Sequence, residues 1–172
     1  VSPMLTHLLG GTGIGCPTCI PPRDWFVLTS MCKSATKDDA LEMIAAERLL
    51  YLHFFEGNIV KIGIGGENRL RQFNSTANDF WILTNGLACL AEALIHTAGF
   101  PQPPEDHRRR VIAGHGGHTE MYMVDSDRDW ARLLSKLINW LRRRVPTAED
   151  LYELPIRSGQ GFHHGALQAK HP

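Results

Sequence analysis

The sequence has no excess of one charge, no uninterrupted apolar run and few cysteines, and each absence argues against a class of protein. Its 172 residues include 18 basic and 18 acidic side chains, which argues against a protein that coats nucleic acid through net charge. The most apolar stretch, residues 80–98, contains Asn85, Glu92 and His96, which a bilayer tolerates poorly. The four cysteines have no regular spacing, which argues against a disulfide scaffold. We expect one globular domain in the reducing cytoplasm, without membrane contact.

Apolar residues at helical spacing predict an all-α protein. The first predicted helix spans residues 37–56 and begins after Thr36, which together with Asp39 has the arrangement of a capping box. The longest spans residues 67–98, where apolar side chains recur every three or four positions. Between them, residues 58–66 form either a tight hairpin or a simple connection. The two helices supply most of the predicted core.

A third helix is predicted over residues 127–145, and Thr147 begins a short fourth one. The first helix has a net charge of −3 and the third of +4, from the residues in the sequence. We therefore predict a small helical bundle at residues 36–155, preceded by an irregular segment at 1–35 and followed by a flexible tail at 156–172.

The most chemically suggestive segment holds Arg108, Arg109 and Arg110, followed by His115. Guanidinium groups bind phosphate oxygens through bidentate, charge-assisted hydrogen bonds, and an imidazole transfers protons near neutral pH. These residues suggest cleavage of a phosphodiester, in which Arg109 or Arg110 stabilises the phosphorane and His115 transfers protons, while Arg108 binds nucleic acid. The alternative is a solvated basic loop.

Three further arginines, Arg142, Arg143 and Arg144, end the third predicted helix. Cations at this position complement the negative end of the helix dipole, which is a sufficient structural reason for them. They are also candidates for binding nucleic acid.

The sequence predicts no cofactor and no metal site. A single CxxC pair, Cys16 and Cys19, lacks a second pair at zinc-ligand spacing. Whether these cysteines, or His115 with His118, bind a metal stays open. The glycine-rich run at residues 63–66 precedes the longest predicted helix, and its backbone amides could meet an anion there.

The order of elements over residues 36–154 resembles the HEPN domain, a small α-helical bundle. The similar parts are residues 69–73, 79–81 and 91–95, followed by a basic turn, and the spacing of Arg108, Arg109 or Arg110 to His115 matches the family's Arg-then-His signature. The resemblance implies either a metal-independent endoribonuclease or a non-catalytic RNA- or nucleotide-binding relative, and in both cases a homodimer. The alternative is a non-catalytic helical module that binds a partner protein.

Overall fold

The computed structural model describes residues 23–98, 100–112, 120–124 and 127–153, and in this part the protein is mixed α/β. The helices are α1 (Arg23–Ser34), α2 (Lys37–Ala45), α3 (Glu67–Leu70), α4 (Asn85–Thr97), α5 (Glu105–Val111), α6 (Asp127–Arg144) and α7 (Ala148–Leu151). The strands are β1 (Glu47–Phe55), β2 (Ile59–Gly65), β3 (Ala77–Thr84) and β4 (Met121–Met123). They form one antiparallel sheet in the order β3-β1-β2-β4. The prediction of an all-α helical bundle is therefore wrong.

The first predicted helix is correct only in its first half. Helix α2 begins after Thr36, whose hydroxyl oxygen accepts a hydrogen bond from the backbone N–H of Asp39 at 3.2 Å. The helix ends at Ala45, and β1 follows almost at once. From residue 50 onward, every residue of β1 is buried, so its apolar side chains form a continuous run without alternation. Such a run is compatible with either helix or strand.

Strands β1 and β2 form a hairpin, with Phe55 paired to Ile59. The chain reverses through Gly57 and Asn58, whose φ angles are 79° and 56°. Glycine and asparagine are the residues that adopt this left-handed conformation most readily. Residues 58–66 are therefore neither a hairpin by themselves nor a simple connection, because residues 59–65 form one strand whose hairpin partner is β1.

The longest predicted helix is divided among α3, β3 and α4. Aromatic and β-branched residues concentrate in β3, where Phe80, Trp81 and Ile82 favour a strand. The hydroxyl of Thr84 then caps α4 by accepting a hydrogen bond from the backbone N–H of Leu87 at 3.4 Å. Because residues 77–84 form a strand, the long helix on which the predicted bundle depended does not exist.

The last two predicted helices are confirmed. Helix α6 spans Asp127–Arg144, and α7 begins after Thr147, whose hydroxyl accepts a hydrogen bond from the backbone N–H of Asp150 at 3.1 Å. The segment before Thr36 differs from the expectation, because α1 lies there and contributes Leu28 and Cys32 to the core. Residues 1–22 and 154–172 lie outside the described part of the chain.

The main core lies between one face of the sheet and helix α4, which contacts α1, α2, α6 and strands β1 and β2. We call this the helix-covered face. It is formed by alternate strand residues, all buried: Leu50, Leu52, Phe54, Val60, Ile62 and Tyr122. Among the helices that the structure describes, none combines the length and apolarity needed to cross a membrane.

Candidate functional site

The opposite face of the sheet contains buried polar groups, and we call it the polar face. Since side chains alternate along a strand, Tyr51 and His53 of β1 point away from the helix-covered face. Lys61 lies directly opposite His53, and Gly63 lies opposite Tyr51. Tyr51, His53 and Lys61 have exposed fractions of only 2%, 0% and 1%. Burying such groups costs free energy, which makes this face the first candidate for a functional site.

Two segments cover the polar face. Phe73, which follows β2 in the sequence, contacts the Tyr51 ring, and Leu70, Val111 and Ile112 belong to or pack against the same apolar cluster. The chain returns to this face at Glu120, immediately before β4. Residues that are distant in sequence are therefore brought together by the sheet.

A buried ion pair joins β2 to the segment before β4. Lys61 Nζ lies 3.4 Å from Glu120 Oε2, and the two side chains have exposed fractions of 1% and 19%. Burial lowers the pKa of Lys61, and the negative charge of Glu120 acts in the opposite direction. The ammonium group is thus shielded from solvent, whereas the carboxylate can still be reached from outside.

Tyr51 and Arg69 form the second polar pair. Burial raises the pKa of Tyr51 to about 12, and a hydrogen bond and the positive charge from Arg69 both act to lower it. Arg69 lies in α3, donates a hydrogen bond from Nη1 to Gln72 Oε1 at 2.5 Å, and places its guanidinium carbon 5.4 Å from the centre of the Phe73 ring. The phenol is therefore neutral at pH 7 and lies beside a positioned cation.

Two glycines of β2 make this arrangement possible. A Cβ atom at Gly63 would collide with the phenol ring of Tyr51, and one at Gly65 would lie 2.8 Å from the Cβ of Arg69. Real side chains do not approach so closely, so any larger residue would displace Tyr51 or Arg69. The glycine-rich run singled out in the sequence thus provides space for both functional side chains.

His53 completes the cluster. Its Nδ1 lies 2.8 Å from the hydroxyl oxygen of Ser75, and its ring packs edge-on against Tyr51 and Phe73 with centroid distances of 5.2 and 5.1 Å. Among the described residues, its Nε2 has no hydrogen-bond partner. Burial, and next the charge of Lys61, lower the pKa of His53 to about 4, so the imidazole is neutral at pH 7.

A groove open to solvent lies beside Arg69. Its volume is about 620 Å³, and it is lined by Ile64, Gly65, Gly66, Glu67, Asn68, Arg69 and Gln72. A ligand in this groove would contact the guanidinium that also hydrogen-bonds to Tyr51. Arg69 therefore connects the groove with the buried phenol of Tyr51, whereas Tyr51, Lys61 and Glu120 are not among the residues that line the groove.

The arginines predicted to be catalytic lie on α5. Arg109 pairs with Glu105 at 2.6 Å, and Arg110 pairs with Asp106 at 3.6 Å, all within the same exposed helix. Arg108 precedes them by one position and donates a hydrogen bond to Gln102 Oε1 at 3.1 Å. Because α5 ends at residues that belong to or pack against the same apolar cluster as Tyr51, these arginines lie on a helix that borders the polar face.

His115, the predicted proton-transfer residue, lies outside the described part of the chain. The prediction that it forms a catalytic pair with Arg109 or Arg110 therefore stays a prediction. The same holds for a metal site at His115 and His118, or at Cys16 and Cys19. Among the residues that the structure does describe, no group of three or more potential His, Cys, Asp or Glu ligands lies together.

The three arginines at the end of α6 lie where the sequence places them. Arg142 and Arg143 are exposed, and the guanidinium carbon of Arg144 lies 5.5 Å from the centre of the Trp140 ring. Their contribution to the end of the helix needs no ligand. A role in binding nucleic acid stays a prediction.

Sequence reasoning missed Tyr51, Lys61 and Glu120 as site residues, and it used Arg69 only as part of a family resemblance. One signal was present: His53 and Lys61 are polar residues inside two apolar runs. A polar residue in such a run either marks the solvent side of a helix or indicates a functional group buried in a sheet. Without the strand assignment, the two meanings could not be separated.

Comparisons of the chain with family models, with curated proteins and with solved structures found no match. They neither support nor refute the resemblance to the HEPN domain. The helical bundle that this resemblance implied is nevertheless contradicted by the four-stranded sheet.

Proposed function

We propose that this protein hydrolyses phosphodiester bonds in nucleic acid and that the polar face of the sheet is its catalytic site. One observation carries the proposal: the hydroxyl of Tyr51, the guanidinium of Arg69 and the Lys61–Glu120 pair share one face of the sheet, and Arg69 also lines an open groove. The proposal keeps the nucleic-acid substrate suggested by the sequence. It places the chemistry at residues other than Arg109, Arg110 and His115.

Cations are the first requirement of this reaction. The transition state of phosphoryl transfer spreads negative charge over the phosphate oxygens, so catalysis depends on positioned positive groups. Arg69 borders the groove and can bind two of these oxygens at once. Lys61 adds a second charge, and its burial makes the attraction stronger than it would be in water.

Proton transfer is the second requirement, and Tyr51 is the group we assign to it. As the oxygen of a water molecule bonds to phosphorus, the bond to the leaving ester oxygen breaks, and the Tyr51 hydroxyl donates its proton to that oxygen. One proton of the water passes to solvent, and Tyr51 then regains a proton from solvent. Burial keeps Tyr51 protonated in the empty site, and the hydrogen bond and positive charge of Arg69 stabilise the phenolate that the transfer leaves.

Glu120 suits a divalent cation. Mg²⁺ is commonly held by one or two carboxylates together with substrate phosphates and water, and the Glu120 side chain is 19% exposed beside the buried Lys61. A cation there would polarise the phosphate and lower the pKa of bound water. This part of the proposal differs from the sequence expectation that no cofactor is needed.

The arginines of α5 suit the approach of the substrate. Their ion pairs with Glu105 and Asp106 are largely exposed, and exposed pairs of this kind contribute little to stability. A phosphate backbone can therefore replace the carboxylates as partners. We assign Arg109 and Arg110 to binding of the strand outside the reacting phosphate.

A cytoplasmic location is also proposed. Within the described residues, Cys32 and Cys89 are buried and not joined in a disulfide. Buried thiols of this kind are typical of proteins that fold in a reducing compartment.

The test is cleavage of fluorescently labelled single- and double-stranded DNA and RNA by the purified chain, with Mg²⁺ and with EDTA. We expect Arg69→Ala and Tyr51→Phe each to lower the cleavage rate by about 10²–10³-fold, as removal of a positioned transition-state group does in other enzymes. Arg132→Ala, at an exposed position of α6, is the matched control and should leave the rate unchanged. Circular dichroism would verify that each variant folds.

The proposal fails if the wild-type chain cleaves none of these substrates, or if Arg69→Ala cleaves as fast as wild type. Binding of these nucleic acids without cleavage would contradict the hydrolase and leave a non-catalytic nucleic-acid-binding protein. Loss of cleavage in EDTA supports the role of Glu120. Full activity in EDTA would instead support the metal-independent reaction that the sequence suggested.

A further inference from the structure

An exposed aromatic residue lies directly beside the proposed proton donor, Tyr51. In the pairing of β1 with β3, Phe80 is opposite Tyr51 and Asn78 is opposite His53. Directly opposite residues of antiparallel strands share a face, and their Cβ atoms are about 4.5–5.5 Å apart. The polar face therefore continues onto the edge strand β3.

Exposure changes abruptly between these neighbours. Tyr51 has an exposed fraction of 2%, whereas Phe80 and Ile82 on the same face have 51% and 54%. Asn78 is exposed as well. A row of amide, aromatic ring and aliphatic side chain is thus open to solvent along the proposed catalytic site.

The row borders a second groove, with a volume of about 390 Å³, which includes Phe80 and Ile82 in its wall. Gly65, Gly66 and Glu67 line both this groove and the one beside Arg69. The two grooves are therefore neighbours that share part of their wall. Arg69 lines one of them and Phe80 the other.

We infer that Phe80 stacks against an unpaired nucleobase next to the reacting phosphate, an inference that rests on the proposed function. Nucleobases of single strands stack on exposed aromatic side chains, and every base offers the required flat surface. The amide of Asn78 lies on the same face and can both donate and accept hydrogen bonds at a base edge. The site consequently binds a phosphate and a base in adjacent grooves.

The inference sets the class of substrate. In a duplex the base faces are covered by neighbouring base pairs, so a ring on the protein surface can stack only on a base that is unpaired or turned out of the helix. The substrate is therefore a single strand, a loop or a strand end. An extended peptide pairing with the edge of β3 would be a different occupant, which the experiment separates.

The test compares two single-stranded oligonucleotides of equal length, one with all its bases and one abasic. Binding is measured by fluorescence anisotropy in EDTA, so that the result does not depend on cleavage. We expect Phe80→Ala to weaken binding of the oligonucleotide with bases by about 5- to 100-fold, the range found for loss of one stacked base. Binding of the abasic oligonucleotide should not change.

Two further variants complete the design. Phe80→Trp should keep the affinity, and its added fluorescence should be quenched by the oligonucleotide with bases but not by the abasic one. Met123→Ala is the matched control, because Met123 has an exposed fraction of 50% and lies on the opposite edge strand β4. It should bind both oligonucleotides as wild type does.

Equal binding of the oligonucleotide with bases by Phe80→Ala and wild type would overturn the inference, and so would an equal loss of affinity for both oligonucleotides. The latter result would show that Phe80 supports the fold or a different partner. The two proposals fail separately. Base-dependent binding at Phe80 without any cleavage would contradict the hydrolase proposal and support the base site. Cleavage that depends on Arg69 but not on Phe80 would support the hydrolase and contradict the base site.

Discussion

The two faces of the sheet are built from the same strands, yet their chemistry is different. On the helix-covered face, apolar side chains such as Leu52 and Val60 pack against α4 within one continuous core. On the polar face, one position along in each strand, the residues are His53 and Lys61. Alternation along a strand lets the chain fill one face with apolar side chains and place polar groups on the other, beside a second apolar cluster that includes Phe55 and Ile59.

The comparison bears on the proposed site because burying polar groups costs free energy that burying apolar side chains does not. Replacing a buried ion pair by apolar residues of similar volume is often neutral or stabilising, so Lys61 and Glu120 are poor choices if stability is their only role. The apolar residues of the other face need no explanation beyond packing. Substitutions on the two faces should therefore affect different properties.

The largest effect on stability is expected on the helix-covered side. Leu134 of α6 is fully buried in that core, and Leu134→Ala should lower the free energy of unfolding by about 3–4 kcal/mol through lost burial and a residual cavity. Urea unfolding would measure it. Cleavage per folded molecule should stay unchanged, and a loss of activity in the fully folded variant would contradict the separation of the two faces.

The second-largest expected effect is a pH dependence of stability that arises from His53 on the polar face. The pKa of His53 falls from 6.5 to about 4 in the folded protein, so the unfolded chain binds more protons between these pH values. The contribution of neutral His53 to the free energy of unfolding is complete above pH 6.5. It decreases by up to about 3 kcal/mol as the pH falls towards 4. His53→Phe, which keeps a ring among aromatic neighbours, should lack this component.

The measurement is the free energy of unfolding of both proteins from pH 7 to pH 4, and the relevant quantity is their difference. Glu92 of α4 acts in the opposite direction, because burial, and next the charge of Asp24, raise its pKa, so its contribution to stability falls as the pH rises. This effect is common to both proteins and cancels. Parallel curves would show that His53 does not titrate in this way.

The smallest effect on stability, and the sharpest test of the comparison, comes from the Lys61–Glu120 pair. Lys61→Met combined with Glu120→Met removes both charges and keeps the apolar stems, so the free energy of unfolding should stay the same or rise. Cleavage should fall by about a hundredfold, or about 2.7 kcal/mol in the barrier. Lys37→Met, at an exposed position of α2, is the control for both measurements. A strong loss of stability with normal cleavage would show that the pair is structural.

The parts of the fold that could be predicted depend on contacts close in sequence. Thr36 and Thr147 accept hydrogen bonds from the backbone three residues later, so the starts of α2 and α7 could be identified from a few letters. Helix α6 has one buried side facing the core and one exposed side, and that pattern needs no knowledge of a partner. These elements were predicted correctly.

The strands were missed because their partners are distant. Strand β1 lies between β2 and β3, and its two faces are buried by the helices on one side and by the segment that contains Phe73 on the other. Its sequence therefore has no alternation from which a strand could be recognised. The aromatic residues of β3 favoured a strand, but the helical spacing around them gave the opposite indication. The candidate site could not be predicted without the strands, because only their register brings Tyr51, Lys61 and Phe80 together.

By itself, the sequence determined the helix starts, the amphipathic helix α6, the absence of net charge and the arginine-rich segment around Arg109. These properties arise from neighbouring residues and from composition. The tertiary structure alone decided that residues 47–55 and 77–84 are strands, and that Arg69 and Glu120 lie on the same face as Tyr51. The reason is that a strand gains its hydrogen bonds and its burial from other strands, so its identity is a property of the pairing and not of the segment.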